Sequence, residues 1–432
     1  MIPEKAIRSV LKAVDYDALI QLAQDLVKIN SVWNPDAGSG EQEVAEFVAS
    51  WAGKRMFEFQ MEQVAPGRPN VIIPWQAGAG ERTLMFEAHT DVVTPGDLSA
   101  WTYDPFGAQI VRDRMYGRGA NDTKGNLAAM LIAMQALKTS GVELCGGIVA
   151  GVLCDEEGLM SGILDFIEKG HADAVTAAVI CEPQDGRICT AQKGAIRACY
   201  TILGHMSHGA MPLTGVNTAP AIAGLIEGLH QLELKAVETF GRDDLLGWPS
   251  FTPTVIQVPS SGPPQLNVMP GKGHVMVDIR TIPGQYHEEI RDALRKLASN
   301  VEAGVRDSYR SYDRLLDLSG KREITINVTF LTDRPCTDTD KGDPVVQSAD
   351  WATRKRMGIE PVYDGVPGAT DGTFLWALKQ IPIVTMGAGD RNVPHQIDEW
   401  VDIEQLKATA DIYALTALHY LFQGDGCCSR PC

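Results

Sequence analysis

At 432 residues the chain exceeds one compact core and fits two domains, or one domain with a large insertion. Hydrophobic residues at 44% and charged residues at 22% are those of a globular protein, and a net charge of -17 with no basic run excludes nucleic acid, whose phosphates need cations. No run approaches the roughly 18 apolar residues of a membrane span, and the opening MIPEKAIRSVLKAVDYDALI lacks the apolar core of a signal peptide.

Apolar residues at three-and-four spacing predict helices over 16–27 and 42–51. Strands follow at 70–74, 83–88, 147–154 and 177–181, with an Ala-, Leu- and Met-rich helix over 124–139. This alternation predicts an α/β fold with a mostly parallel sheet and helices on both faces. From Gly194 the rhythm changes: strand 196–203, helix 218–234, strands 254–258 and 273–281, charged helix 287–298, strand 323–331. That βαββαβ order predicts a ferredoxin-like domain, 194–332, inserted into a catalytic domain built from 1–193 and 333–432. A helix over 346–357 and a strand over 382–386 resume the first pattern. The nine cysteines are scattered. Cys154, Cys181 and Cys199 sit in apolar strand-like runs and read as buried free thiols of a reducing cytoplasm. The terminal CCSRPC matches no zinc-ligand spacing and reads as a frayed end.

In a parallel sheet, sites gather at the carboxyl ends of strands. His89 in FEAHTDVV, Glu157 in CDEEG and Glu182 in VICEPQ each fall just past such a strand. Asp122 lies in the Gly-rich turn GRGANDTKGN, where an Asp also serves as a helix N-cap. His395 lies in the loop VPHQIDEW. Two imidazoles and three carboxylates suit a pair of divalent ions about 3.5–4 Å apart with one carboxylate shared, the arrangement of a metal-dependent hydrolase. Asp91 shares a face with His89 and is placed to accept its second ring N–H. The adjacent acids of CDEEG divide the labour, one on a metal and its neighbour free to take a proton.

In order along the chain, HTDVV, GRGANDTKG, DEEG, CEP, SHGAMP, NVMPG, VDIRTIPG, GATDG and PHQIDEWV make it resemble one family of co-catalytic metallohydrolases. Its members include acetylornithine deacetylase, succinyl-diaminopimelate desuccinylase, aminoacylase and glutamate carboxypeptidase. The likeness runs from about Ala18 to Leu421. It implies two divalent ions (Zn, Mn or Co) bridged by Asp122, with His89 and Glu182 completing one shell and Glu157 and His395 the other. It makes Glu156 the general base and Asp91 the support of His89, and has His208 steady an oxyanion in the site of a second copy, hence a homodimer. Arg280 and Asn267 match positions that grip the substrate, and Asp371 a turn that lines the pocket; Arg280 also reads as a strand-end ion pair, and Asp371 as the holder of its own turn. The implied reaction is hydrolysis of a C–N bond in a small carboxylate-bearing substrate, an N-acyl amino acid or short peptide. A few relatives instead displace an amino group from an aromatic acid, as 5-nitroanthranilate aminohydrolase does.

Ala388 stands where many relatives have Pro, and Asn121 where Ser is common. Other classes fit less well. GAGE at Gly78 and GAGD at Gly387 fail the dinucleotide pattern, and no G-x-S-x-G elbow occurs. Cys181 has no cationic neighbour in sequence to activate it. A binding protein that kept the fold and lost the reaction is opposed by the presence of Glu156 beside all five ligand types.

Overall fold

The structure, a computed structural model, describes residues 2–36, 38–316 and 323–422. The Cys-rich tail therefore lies outside the described residues. The chain forms two compact units, one of Met1–Ala191, Thr337–Val366 and Thr370–Cys432, the other of Gln192–Cys336 with Pro367–Ala369. Those last three residues, placed by sequence in the catalytic domain, cluster with the second unit.

In the first unit the strands Gly147–Leu153, Thr83–His89, Ala177–Cys181 and Ile383–Met386 lie side by side in parallel. Arg68–Gln76 borders them antiparallel on one side and Ile188–Gln192 on the other. Strands covered on both faces carry apolar residues without alternation: all five residues of Ala177–Cys181 are buried, as is every residue of Ile383–Met386. Side chains still alternate between faces. Leu84 and Phe86 join a core with the helices Tyr16–Lys28, Lys124–Thr139 and Ile403–Leu421, while Met85 joins one with Ser161–Glu168 and Gly372–Lys379. Helices thus cover both faces, as expected.

The second unit is a four-stranded antiparallel sheet in the order Ser250–Gln257, Lys272–Thr281, Gly194–Leu203, Thr325–Arg334. Helices Ala219–Phe240 and His287–Leu316 bury Ile196, Ala198, Tyr200 and Ile202 on one face. The chain order is βαββαβ. The helix expected to end at 298 runs on to Leu316, and charge pairs continue along it: Glu302 with Arg306, Asp307 with Arg310. Cys154 and Cys181 are buried free thiols; Cys199, on the sheet's other face, is partly exposed. No helix among the described residues is long and apolar enough to cross a membrane.

Candidate metal centre

The parallel strands deliver their ends to one place. His89 closes the Thr83–His89 strand, Glu182 follows Ala177–Cys181, and Glu157 lies four residues past Gly147–Leu153. Asp122 precedes the helix Lys124–Thr139. Gly119 in its turn has φ +84°, and a Cβ there would come within 2.8 Å of Val92, so the turn needs a glycine to approach the segment after His89.

Two clusters result, His89–Asp122–Glu182 and Asp122–Glu157–His395, each with its donor atoms within 4.8 Å of one another. Asp122 belongs to both. Its Oδ1 lies 3.0 Å from Nε2 of His89, and its Oδ2 lies 3.5 Å from Nε2 of His395. Glu182 stands 3.5 Å from His89, and Glu157 2.8 Å from His395. One carboxylate thus turns one oxygen to each imidazole, the geometry of a bridge between two cations. The donor set also fits cations electrostatically: burial first, and then the charge of Asp122, pushes the Glu182 carboxyl well above its ordinary range. His395 is pushed up to about 10 by its hydrogen bonds to Asp122 and Glu157. Burial pulls His89 down, but Glu182, Asp122 and Asp91 hold it well above the usual imidazole value.

Asp91 meets His89 through its backbone as well as its side chain. Nδ1 of His89 lies 3.0 Å from the backbone carbonyl of Asp91, and 3.5 Å from its carboxylate. A carbonyl only accepts, so Nδ1 keeps its proton, and Nε2, facing Asp122 and Glu182, is the nitrogen that offers a lone pair once its own proton is shed. The Asp91 carboxylate also accepts the backbone N–H groups of Glu156 (3.1 Å) and Glu157 (3.0 Å), locking the acidic turn to the histidine strand. Glu156 is itself buried and belongs to neither cluster. Burial, followed by the charges of Glu182, Glu157 and Asp371, pushes its carboxyl well up despite His89.

Asp371 is fully buried at the start of the helix Gly372–Lys379, close enough for its charge to act on the carboxyls of Glu87 and Glu156. Beside it Glu87, 1% exposed, has neither oxygen hydrogen-bonded among the described residues; burial and then Asp371 push its carboxyl well up. His208, Asn267 and Arg280 lie in the second unit. Ser207–His208 pairs with Val268–Met269, and Gly209 donates to the carbonyl of Asn267 at 2.7 Å, which brings His208 and Asn267 together. Nδ1 of the exposed His208 accepts the N–H of Ala210 at 3.0 Å, which leaves its Nε2 carrying the proton. Arg280 is held by Asp278, Nε to Oδ1 at 2.6 Å and Nη2 to Oδ2 at 3.2 Å. The strand-end ion pair is therefore formed, and only part of the guanidinium fork is left for a ligand.

Sequence reasoning missed the supports. Glu399, 0% exposed, accepts three backbone N–H groups of the Asp122 turn and pairs with Arg118. Arg68 and Glu41 form a second buried pair behind Asp91 and Asp155. Glu399 lay in the quoted PHQIDEWV, where an acid in an apolar context was the available signal.

A parallel α/β sheet whose strand ends assemble two carboxylate–imidazole clusters around a shared Asp defines a metallohydrolase. A family profile, Peptidase family M20/M25/M40, matches residues 85–419, and the chain belongs to that family. It is 30% identical over 408 residues to a succinyl-diaminopimelate desuccinylase of Thioalkalivibrio sulfidiphilus, covering 91% of this chain and 96% of that protein. Its fold matches an M20 family metallo-carboxypeptidase of Sulfolobus solfataricus with TM-score 0.73 at 19% identity, over 94% of this chain and 99% of the other. A dinuclear metal binding peptidase of the M20 family from Bacillus subtilis matches with TM-score 0.67 at 16% identity, over 93% and 97%.

Proposed function

We propose that the protein hydrolyses the amide C–N bond of a small N-acyl amino acid or short peptide bearing a free carboxylate, using two divalent ions of the Zn, Mn or Co kind. The observation that carries this is Asp122, one oxygen toward each imidazole, as a bridging ligand requires. His89 and Glu182 would hold one ion, and Glu157 and His395 the other. When bound, such a pair supplies Lewis acidity and makes water nucleophilic near neutral pH. Glu156 takes the proton of the attacking water and returns it to the leaving nitrogen; its raised affinity for a proton suits both steps. Asp91 keeps the Glu156 backbone in place. His208 from a second copy donates its Nε2–H to the oxyanion, a role supported by the acceptor state of Nδ1. The part of the Arg280 fork not taken by Asp278, and the Asn267 amide, hold the substrate carboxylate. The amide substrate class is supported by the desuccinylase and carboxypeptidase names of the relatives.

The test is a panel of N-acyl amino acids, dipeptides and aromatic acids bearing a ring amino group, offered to the protein loaded with Mn, Co or Zn, with and without a chelator. Amide cleavage abolished by the chelator and restored by metal is the expected result. Release of ammonia from the aromatic acids alone would move the protein to the aminohydrolase class, and no stoichiometric metal would end the hydrolase reading.

Metal uptake should also depend on pH in a defined direction. His395, pushed up to about 10, and His89, held well above its usual value, must shed protons before they can ligate. Affinity is expected to rise about tenfold per pH unit for each proton released. Titration of Mn into metal-free protein across neutral pH checks this; a constant independent of pH would mean both rings are neutral beforehand.

A further inference from the structure

We propose that the buried pair Arg118–Glu399 is a brace that ties the loop of His395 to the turn of the bridging carboxylate and so controls loading of the second ion, the one assigned to Glu157 and His395; this rests on the metal reading above. Oε1 of Glu399 accepts the backbone N–H groups of Gly119 at 3.0 Å, Asn121 at 2.9 Å and Asp122 at 3.0 Å. Its Oε2 accepts Nη1 of Arg118 at 2.5 Å, and its backbone carbonyl accepts the N–H of Gly117 at 2.9 Å. Nη2 of Arg118 reaches the carbonyls of His395 and Thr94, each at 3.4 Å. One ion pair thus touches the turn that carries Asp122, the loop that carries His395 and the segment that leaves His89.

Both carboxylate oxygens of Glu399 are committed, one to three N–H donors and the other to a guanidinium, so Glu399 is a positioning residue and not a ligand. An ionised oxygen holds such N–H groups more strongly than a neutral one. The pair is 0% and 2% exposed, so no water replaces a lost contact easily. Its influence falls unequally on the two clusters. His89 is fixed independently, its Nδ1 bonded to the Asp91 carbonyl and Asp91 bonded to the 156–157 backbone. His395 is half-exposed and sits in a loop with φ +66°. An imidazole in that setting depends more on what holds its backbone, and Arg118 donates to that backbone directly.

The experiment measures the two stepwise dissociation constants for Co2+ in the metal-free full chain, for the wild type, Glu399→Gln and Arg118→Lys, with the step lost in His395→Ala marking the second site. Thermal unfolding of each metal-free form is followed in parallel. The amide of Glu399→Gln keeps an acceptor but loses the charge. Arg118→Lys keeps a cation beside Glu399 and gives up the reach to His395 and Thr94. Expected is a weakening of about 10–100-fold at the second step, the usual scale for lost outer support, with little change at the first. Equal weakening of both steps, no weakening, or loss of the fold in both variants overturns the proposal, because the pair would then serve the fold as a whole. A wild type that takes up no Co2+ would sink the metallohydrolase reading itself. Two tight ions in the wild type with unchanged variants would sink only the brace.

Discussion

Glu156→Gln is expected to lower kcat by about 10²–10⁴-fold, the range for a lost general acid–base group, with metal content unchanged. Glutamine has the same shape and keeps the backbone N–H that Asp91 holds at 3.1 Å, so the acidic turn stays in place. Glu156 stands outside both ligand clusters, so removing its charge takes no donor from either. What the amide cannot do is accept a proton. The site is arranged for a group that does: burial and three neighbouring carboxylates raise the proton affinity of this side chain. Steady-state kinetics on the substrate found by the panel, with metal content by atomic emission, make the check. Full activity would remove Glu156 as the base, and loss of metal together with activity would make it a ligand.

The residues of the two clusters are legible in the sequence and their supports are not, for a physical reason. A ligand at the end of a parallel strand follows an uninterrupted apolar run, and Ala177–Cys181 before Glu182 is visible as such a run. The helix Lys124–Thr139 is legible because strong helix formers fill it from Leu127 to Lys138. Ile403–Leu421 escaped because it is buried on nearly every side and lacks a polar face to set a period. Ser161–Glu168 and Gly372–Lys379 span two turns each, too short for periodicity to stand out. Supports leave no spacing at all. Glu399 serves backbone groups, which every residue type shares, and Arg68 reaches Glu41 and Asp155 across 27 and 87 positions. The engagement of Arg280 is the opposite case. Asp278 lies two residues before it on one strand, so the two share a face, and that alternation makes their pairing readable.

The other large effect expected is on stability. Arg68→Leu should lower the unfolding free energy of the metal-free protein by about 3–5 kcal/mol, the cost of stripping one partner from a buried ion pair, out of a total on the order of 5–15 kcal/mol. Arg68 grips Glu41 through Nε at 2.8 Å and Nη2 at 2.5 Å, and Asp155 through Nη1 at 2.5 Å; Asp91 lies 4.0 Å away. Leucine fills much of the volume against Trp33 but leaves these buried carboxylates without their cation. Burial already pushes the Glu41 carboxyl above its ordinary range, and Arg68 is what pulls it back. Without the arginine the folded-state value rises further. A carboxyl raised in the folded state contributes its stability below its unfolded value and loses it as pH rises through the folded one. The deficit of Arg68→Leu is therefore expected to be larger at about pH 8 than at about pH 5.5, and Glu41→Gln added to the variant should restore part of it. Urea unfolding at both pH values measures all three. A deficit that ignores pH, or a double variant weaker than the single one, would show that the charge left on Glu41 is not what destabilises the fold.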